Sequence, residues 1–259
     1  MDSTLAPERT EAPALEDCAV VELRDYMLQP GRRDELIALF ERELIEPQEA
    51  HGGRVIAQFR DLDRPDHFVW LRGFTDMGAR RRALDGFYGG PVWAAHRHAA
   101  NATMIDSDNV RLLRPAKPLW ALATPAAPRA HRDADDGAVA PTALFALTLC
   151  ALRVAPYHAF RRWFGREGLP LLRDAGAMPI AVFETEPALN DFVRLPVRTD
   201  EQVFAWLARL PSDAAWAQAE QSLASSRPWR ELVLPRLQSP ATRPPVTLRL
   251  RATWRSLLR

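Results

Sequence analysis

Between residues 20 and 28 apolar and polar positions alternate, with Val21, Leu23 and Met27 on one side of an extended chain and Glu22, Arg24 and Tyr26 on the other. That is the period-two signature of a half-buried strand, and Pro30-Gly31 ends it. From Arg32 to Ala50 the pattern changes to helical spacing, with Leu36, Ile37, Phe40 and Leu44 on one face and Gly52-Gly53 as a natural stop. Residues 55–59 and 68–71 are short apolar runs around the turn residues Asp61 to Asp66 and predict a hairpin. A second helical region, Asp76 to Met104, breaks near Gly89-Gly90-Pro91 and leads to a closing strand at 110–114. The order β-α-β-β-α-β predicts a ferredoxin-like unit, a four-stranded antiparallel sheet with both helices on one face. The other face is bare and needs cover.

The same signal occurs twice. Shifting the sequence by 124 positions lays residues 40–76 on 164–200 without a gap and gives 12 identities in 37 positions, among them Phe40/Phe164, Gly52/Gly176, Phe59/Phe183 and Phe68/Phe192. Chance would give roughly two or three. The run ALFALTLCAL at 143–152 fits a buried helix or a buried strand, and its alignment with 19–28 favours the strand. Later the offset becomes 136, pairing Trp93 with Trp229 and Val110 with Val246, so the second helical region of the second copy is expected to hold about 12 extra residues. The expected fold class is α+β: two tandem ferredoxin-like (βαββαβ) domains packed sheet-to-sheet as an intramolecular α+β barrel. Expected boundaries are a disordered tail at 1–17, a first domain at 18–115, a proline-rich linker at 116–141 and a degenerate second domain at 142–259. Such a chain works as a monomeric pseudo-dimer or as a homodimer.

Composition narrows the function classes. A net charge of +1 lacks the basic excess that phosphate-backbone binding requires, so no nucleic-acid partner is expected. Of 34 basic residues only Lys117 is a lysine, which reads as the codon bias of a GC-rich bacterial genome. The longest apolar run, 143–152, is about half of the roughly 20 residues that span a bilayer as a helix; the first 17 residues lack the basic start and apolar core of a secretory signal. No membrane association is expected. Cys18 and Cys150 fit neither a disulfide framework nor a metal-ligand spacing, and are expected to stay thiols in a cytoplasmic protein.

The segments WLRGF at 70–74, FYGGPVWAAHRHAANATMIDSDNVRLLRP at 87–115, ELRDYMLQPGRRDEL at 22–36 and EAHGGR at 49–54 resemble the NIPSNAP family, within the dimeric α+β barrel superfamily. The resemblance spans 20–115. The second half is similar only in hydrophobic pattern and in Trp229-Arg230-Glu231-Leu232. What it implies about function is modest: most members have no assigned reaction, and the superfamily includes cofactor-free monooxygenases, haem-handling proteins and pure binding proteins, so the fold does not choose a chemistry.

Candidate site residues cluster in the first half. Glu22, Arg24 and Tyr26 project from one strand face as a carboxylate, a fixed cation and a phenol, forming either an inter-domain ion pair or a ligand site; the second copy carries Ala146, Thr148 and Cys150 there. Trp70 and Arg72, with Tyr88 and Trp93, would wall and anchor a pocket for a flat ligand. His51 ends the first helix, where an imidazolium favours the negative end of the dipole. His96 and His98 are candidate catalytic bases; about 200° apart on a helix, they are not a metal pair. His98 and Asn101, at i and i+3, share a face. GxSxG, Gly-rich phosphate-loop and HExxH motifs are absent, and no cofactor or metal is expected. The function expected is binding of a small apolar or aromatic metabolite in a first-domain cavity. The alternatives are a cofactor-independent monooxygenase or isomerase, with a histidine base and Arg24/Tyr26 stabilising an oxyanion, and a haem-associated protein with an axial histidine.

Overall fold

The computed structural model describes residues 11–117, 128–132, 141–155 and 158–259. Four strands from each half close into one antiparallel barrel. The first half contributes β1 (Val20–Leu28), β2 (Arg54–Asp61), β3 (His67–Phe74), the short β4 (Met104–Asp106) and β5 (Val110–Pro115); the second contributes β6 (Leu144–Leu152), β7 (Pro179–Thr185), β8 (Gln202–Leu210) and β9 (Val246–Ala252). The spatial order is β3-β2-β9-β6-β8-β7-β5-β1, the β1–β3 ladder closes the ring, and β4 hangs on β1 outside it. Two seams join the halves: β2 pairs with β9 through Phe59 opposite Ala252, and β5 with β7 through Leu113 opposite Thr185.

Strand alternation decides what fills the barrel. Val21, Leu23, Phe59 and Leu71 of the first half interdigitate in the lumen with Phe145, Leu147, Phe183 and Leu207 of the second, and the Phe59 and Phe145 rings sit 5.1 Å apart across it. The lumen is therefore a packed core. The alternate residues, Glu22, Arg24 and Tyr26 among them, point outward to the helices.

Helix α1 (33–50), α2 (Met77–Gly89) and α3 (Pro91–Ala102) cover the first half; α4 (158–174), α5 (Asp213–Ser225) and α6 (229–238) cover the second. Asp76 caps α2 by accepting from the Ala79 amide at 2.7 Å, and Ser212 caps α5 by accepting from Ala215 at 3.2 Å. Helices α1, α4 and α6 each contain a π-helical turn, Phe40–Leu44, Phe164–Gly168 and Trp229–Val233. Pro47, Pro170 and Pro235 lie two or three residues beyond these turns. A proline has no N–H to give the carbonyl four residues back and its ring crowds that carbonyl; a widened turn relieves both.

Besides the sheet-to-sheet packing, which is replaced by one continuous closed sheet, three sequence expectations change. The extra residues of the second half lie in the β7–β8 hairpin, 186–201, and not in the helical region. Phe192 to Leu195, aligned with strand residues 68–71, are loop, and the strand is Gln202–Leu210. The offset of 136 already applies there: Phe204, Trp206 and Leu207 stand where Phe68, Trp70 and Leu71 do. Secondly, residues 11–17 are packed rather than free. Leu15 is in the core, and Arg54 donates to the carbonyls of Ala12 and Pro13, both at 2.7 Å; residues 1–10 lie outside the described part. Within 116–141, residues 128–132 dock on the barrel end, where Arg129 is paired to Glu49 at 2.8 Å and donates to the Val55 carbonyl; residues 118–127 and 133–140 lie outside the described part. Among the described residues no helix is long and apolar enough to cross a membrane.

Candidate functional site

Each half has a cleft between the outer sheet face and its helices, and the strand registers put corresponding positions in corresponding places. In the first half Glu22 lies opposite Arg72, Arg24 opposite Trp70 and Tyr26 opposite Phe68. In the second, Ala146 lies opposite Ala208, Thr148 opposite Trp206 and Cys150 opposite Phe204. Four residues past the helix caps stand Arg80 on α2 and Trp216 on α5. The polar set Glu22, Arg24, Arg72, Arg80 is thus replaced by Ala146, Thr148, Ala208, Trp216.

The first-half cleft is filled by that polar set. Glu22 is fully buried and accepts from Arg24 at 3.0 Å, from Arg72 at 2.6 and 3.1 Å and, through its other oxygen, from Arg80 at 2.7 Å. Arg24 also donates to the Tyr26 hydroxyl at 2.7 Å, and Arg72 to Gln48 at 2.6 Å. The Arg24 and Arg72 guanidinium carbons lie 5.5 and 5.1 Å from the Trp70 ring centre, so cation–π contact adds to the pairing. Burial alone would raise the Glu22 pKa, but Arg72, Arg24 and Arg80 outweigh it and hold the carboxyl well below the usual range. Burial likewise pushes the Tyr26 hydroxyl up against the pull of Arg24, so it remains a phenol. The free volume left between Tyr26, Trp70, Tyr88 and Trp93 is about 30 Å³, the share of a single water.

The second-half cleft is open. A cavity of about 270 Å³ lies between Ala146, Thr148, Trp206 and Ala208 of the sheet and Trp216, Trp229 and Leu237 of the helices. Among the described residues no charged side chain lines it; besides the tryptophan indoles, its polar side chains are Gln238 and the Thr148–Thr247 hydroxyl pair, 2.9 Å apart. The cavity expected in the first domain therefore lies in the other half, because three long side chains have become alanine or threonine there.

Of the remaining predicted residues, Tyr88 and Trp93 line the small first-half space beside Trp70, and His51, His96, His98 and Asn101 do not. His96 is half-buried on α3 and stands 3.8 Å from Glu43, while His98 and Asn101 are exposed. Neither histidine hydrogen-bonds to Arg24 or Tyr26, whose side-chain partners are each other and Glu22. Tyr88 and Trp93 stack edge-on at 5.0 Å. His51 caps α1 and fits against Gly86, where a Cβ would come within 2.5 Å of its ring nitrogen; Gly86 is needed for that approach. Cys18 and Cys150 are free and buried, and burial pushes both thiols up to about 12, which makes them inert. Two features escaped the sequence reading. Arg80 holds the cluster from α2, and its signal was its spacing, i, i+3, i+4, i+7 with Ala83, Leu84 and Phe87, which puts an arginine on an apolar face. His67 pairs with Asp25 at 2.8 Å beside Arg64 and Asn109, at the end of the β1–β3 ladder.

Fold and clefts together define a single-chain α+β barrel protein with paired helix–sheet clefts, one filled and one open. Residues 21–118 match the NIPSNAP family model. Among solved structures the chain is similar to an anthrone oxidase-like protein, at 13% identity and a TM-score of 0.53 over 93% of this chain and 94% of that one. It is also similar to a Lactobacillus acidophilus protein provisionally classed as a monooxygenase, at 12% identity and a TM-score of 0.52 over 91% and 94%. A NIPSNAP-like domain protein from Burkholderia xenovorans is 28% identical over 39% of this chain and 88% of its own, with a TM-score of 0.36. No curated protein matches the sequence.

Proposed function

We propose that this protein binds a small, neutral, apolar or aromatic metabolite in the cleft of its second half, without transforming it. The observation that carries this reading is the 270 Å³ cavity, walled by Trp206, Trp216 and Trp229 and free of charged lining. Flat tryptophan walls favour a ring by dispersion and burial, and the volume suits a ligand of roughly ten to fifteen heavy atoms, the room of about nine waters. Binding without reaction is supported by the lining, in which no titratable group stands among the described residues to act as acid or base. The name of one neighbour, anthrone oxidase-like protein, fits a flat ring system as ligand. In this reading the chain is two tandem ferredoxin-like domains, 18–115 and 142–259, joined by 116–141, in which the second has exchanged the first's buried polar cluster for a cavity; it works in the cytoplasm as a monomeric pseudo-dimer.

Native mass spectrometry of protein purified from its own host tests this. The expected result is a retained neutral small molecule that Ala208→Phe, which fills the cavity, displaces. A bare mass, with no quenching of tryptophan fluorescence across a panel of neutral aromatic compounds, overturns it.

A further inference from the structure

The hairpin segment 186–201 does not hang free. Its ends are tied to β5, with the Glu186 amide donating to the Leu112 carbonyl at 2.9 Å and the Arg198 amide to Val110 at 2.8 Å. Between them it crosses to the first-half cleft as a strap. There Asn190 and Asp191 each accept from Arg80, at 3.1 and 3.0 Å, and Phe192 is buried against Phe74, Ala83 and Leu84 with its ring 6.0 Å from that of Tyr88. Arg81 donates to the Asp191 carbonyl.

The charge beneath the strap is unbalanced. Three guanidiniums, Arg24, Arg72 and Arg80, at most 1% exposed, share one buried carboxylate, Glu22, and the second anion that reaches them is Asp191, whose side chain is 36% exposed. Among the described residues, even with Asp191 counted, one positive charge is left over, and the buried Arg80 Nη2 has no hydrogen-bond partner. Uncompensated buried charge is costly, so a purely structural cluster would be expected to balance.

We infer that the first-half cleft is an anion site for an aromatic carboxylate, and that Asp191 and Phe192 of the strap occupy it. Their carboxylate and phenyl ring, on adjacent residues, fill the places that a ring-bearing carboxylate would take: the acid on Arg80, with Nη2 free for a second hydrogen bond to make the pair bidentate, and the ring against Tyr88. Cation–π contacts on Trp70, Phe74 and Tyr88 hold the Arg72 guanidinium, and the Glu22 carboxylate holds that of Arg80 at 2.7 Å, when the strap leaves. This site differs from the neutral cavity of the second half in both place and ligand charge, so the two stand or fall separately.

Phenylacetate is the probe and phenylacetamide its neutral control, titrated by calorimetry. Asp191→Ala/Phe192→Ala, and a variant whose strap is shortened to the length of the 62–66 turn, should bind phenylacetate at least about tenfold more tightly than the unaltered chain, the worth of one charge-assisted hydrogen bond. Phenylacetamide should gain much less, and Arg80→Gln in the double variant should remove the gain. No gain in variants that still melt cooperatively, or an equal gain for the amide, overturns the assignment. So does loss of cooperative melting in both variants, because the strap is then part of the fold and not an occupant of a site.

Discussion

At the scale of single residues, Glu22 decides most about the first half. Its carboxylate is the buried counter-charge to three guanidiniums, and removing one partner of such a group leaves charge without compensation. Glu22→Gln keeps the shape and deletes the charge, and should cost about 3–5 kcal/mol at neutral pH, measured by urea unfolding. The loss should depend on pH. Because the folded-state pKa lies below the ordinary value of 4.5, the stabilisation is complete above that value and fades as pH falls through the folded pKa. The gap between parent and variant should therefore be constant from pH 7 to 5 and close at lower pH; a gap that widens on acidification would refute the assignment. The alternation of 20–28 already put Glu22, Arg24 and Tyr26 on one face. It did not reveal that their hydrogen bonds are spent on each other, since Arg80 arrives from a helix nearly sixty residues away. Nor did it show that Ala146, Thr148 and Ala208 mark the open cleft, because a cavity is written in residues that have become small.

At the scale of elements the strap is the least legible part. FVRL at 192–195 copies FVWL at 68–71 closely enough to pass for a strand, yet FAWL at 204–207 does so equally well and lies in a run that can pair: Thr148 lies opposite Trp206 and Leu144 opposite Leu210. Ladder pairing outweighs local likeness, because a strand needs a partner for every backbone group. Arg194 lies 4.8 Å over the Phe192 ring and pairs with Asp85, so the middle of the strap is held by side chains and its ends by backbone. Phe192→Ala should release the middle first. Hydrogen exchange should then quicken at the Glu186 and Arg198 amides, which the strap's seating protects, while the amides of β1 and β6 stay slow. The global melt should fall by less than the roughly 3–5 kcal/mol a core phenylalanine is worth, since local opening absorbs the loss. Uniform acceleration across the barrel would show that the strap is a cooperative part of the core.

For the whole molecule, closure is the controlling fact. A bare sheet face needing cover was readable from the first hundred residues, and the cover is the other half, although the closed ring is a single sheet and not two stacked ones. Each half alone would expose its lumen side, Val21, Leu23, Phe59 and Leu71 in one and Phe145, Leu147, Phe183 and Leu207 in the other. It would also leave open edges at β2 and β5, or at β7 and β9, and unpaired edges beside apolar faces associate. The seams, the Phe59–Phe145 contact and the strap are all formed by residues of 11–117 and 141–259, so these two segments carry the contacts that close the ring and seat the strap. Co-expressed as separate polypeptides, residues 11–117 and 141–259 should therefore co-purify one to one with the circular dichroism of the full chain. Residues 11–117 alone should not persist as a monomer in sedimentation. The intact chain, with both seams satisfied internally, should sediment as a monomer of 29.2 kDa. Two halves that each purify as folded monomers and ignore one another would mean that the lumen is not the shared core, and would undo the argument from the seams outward.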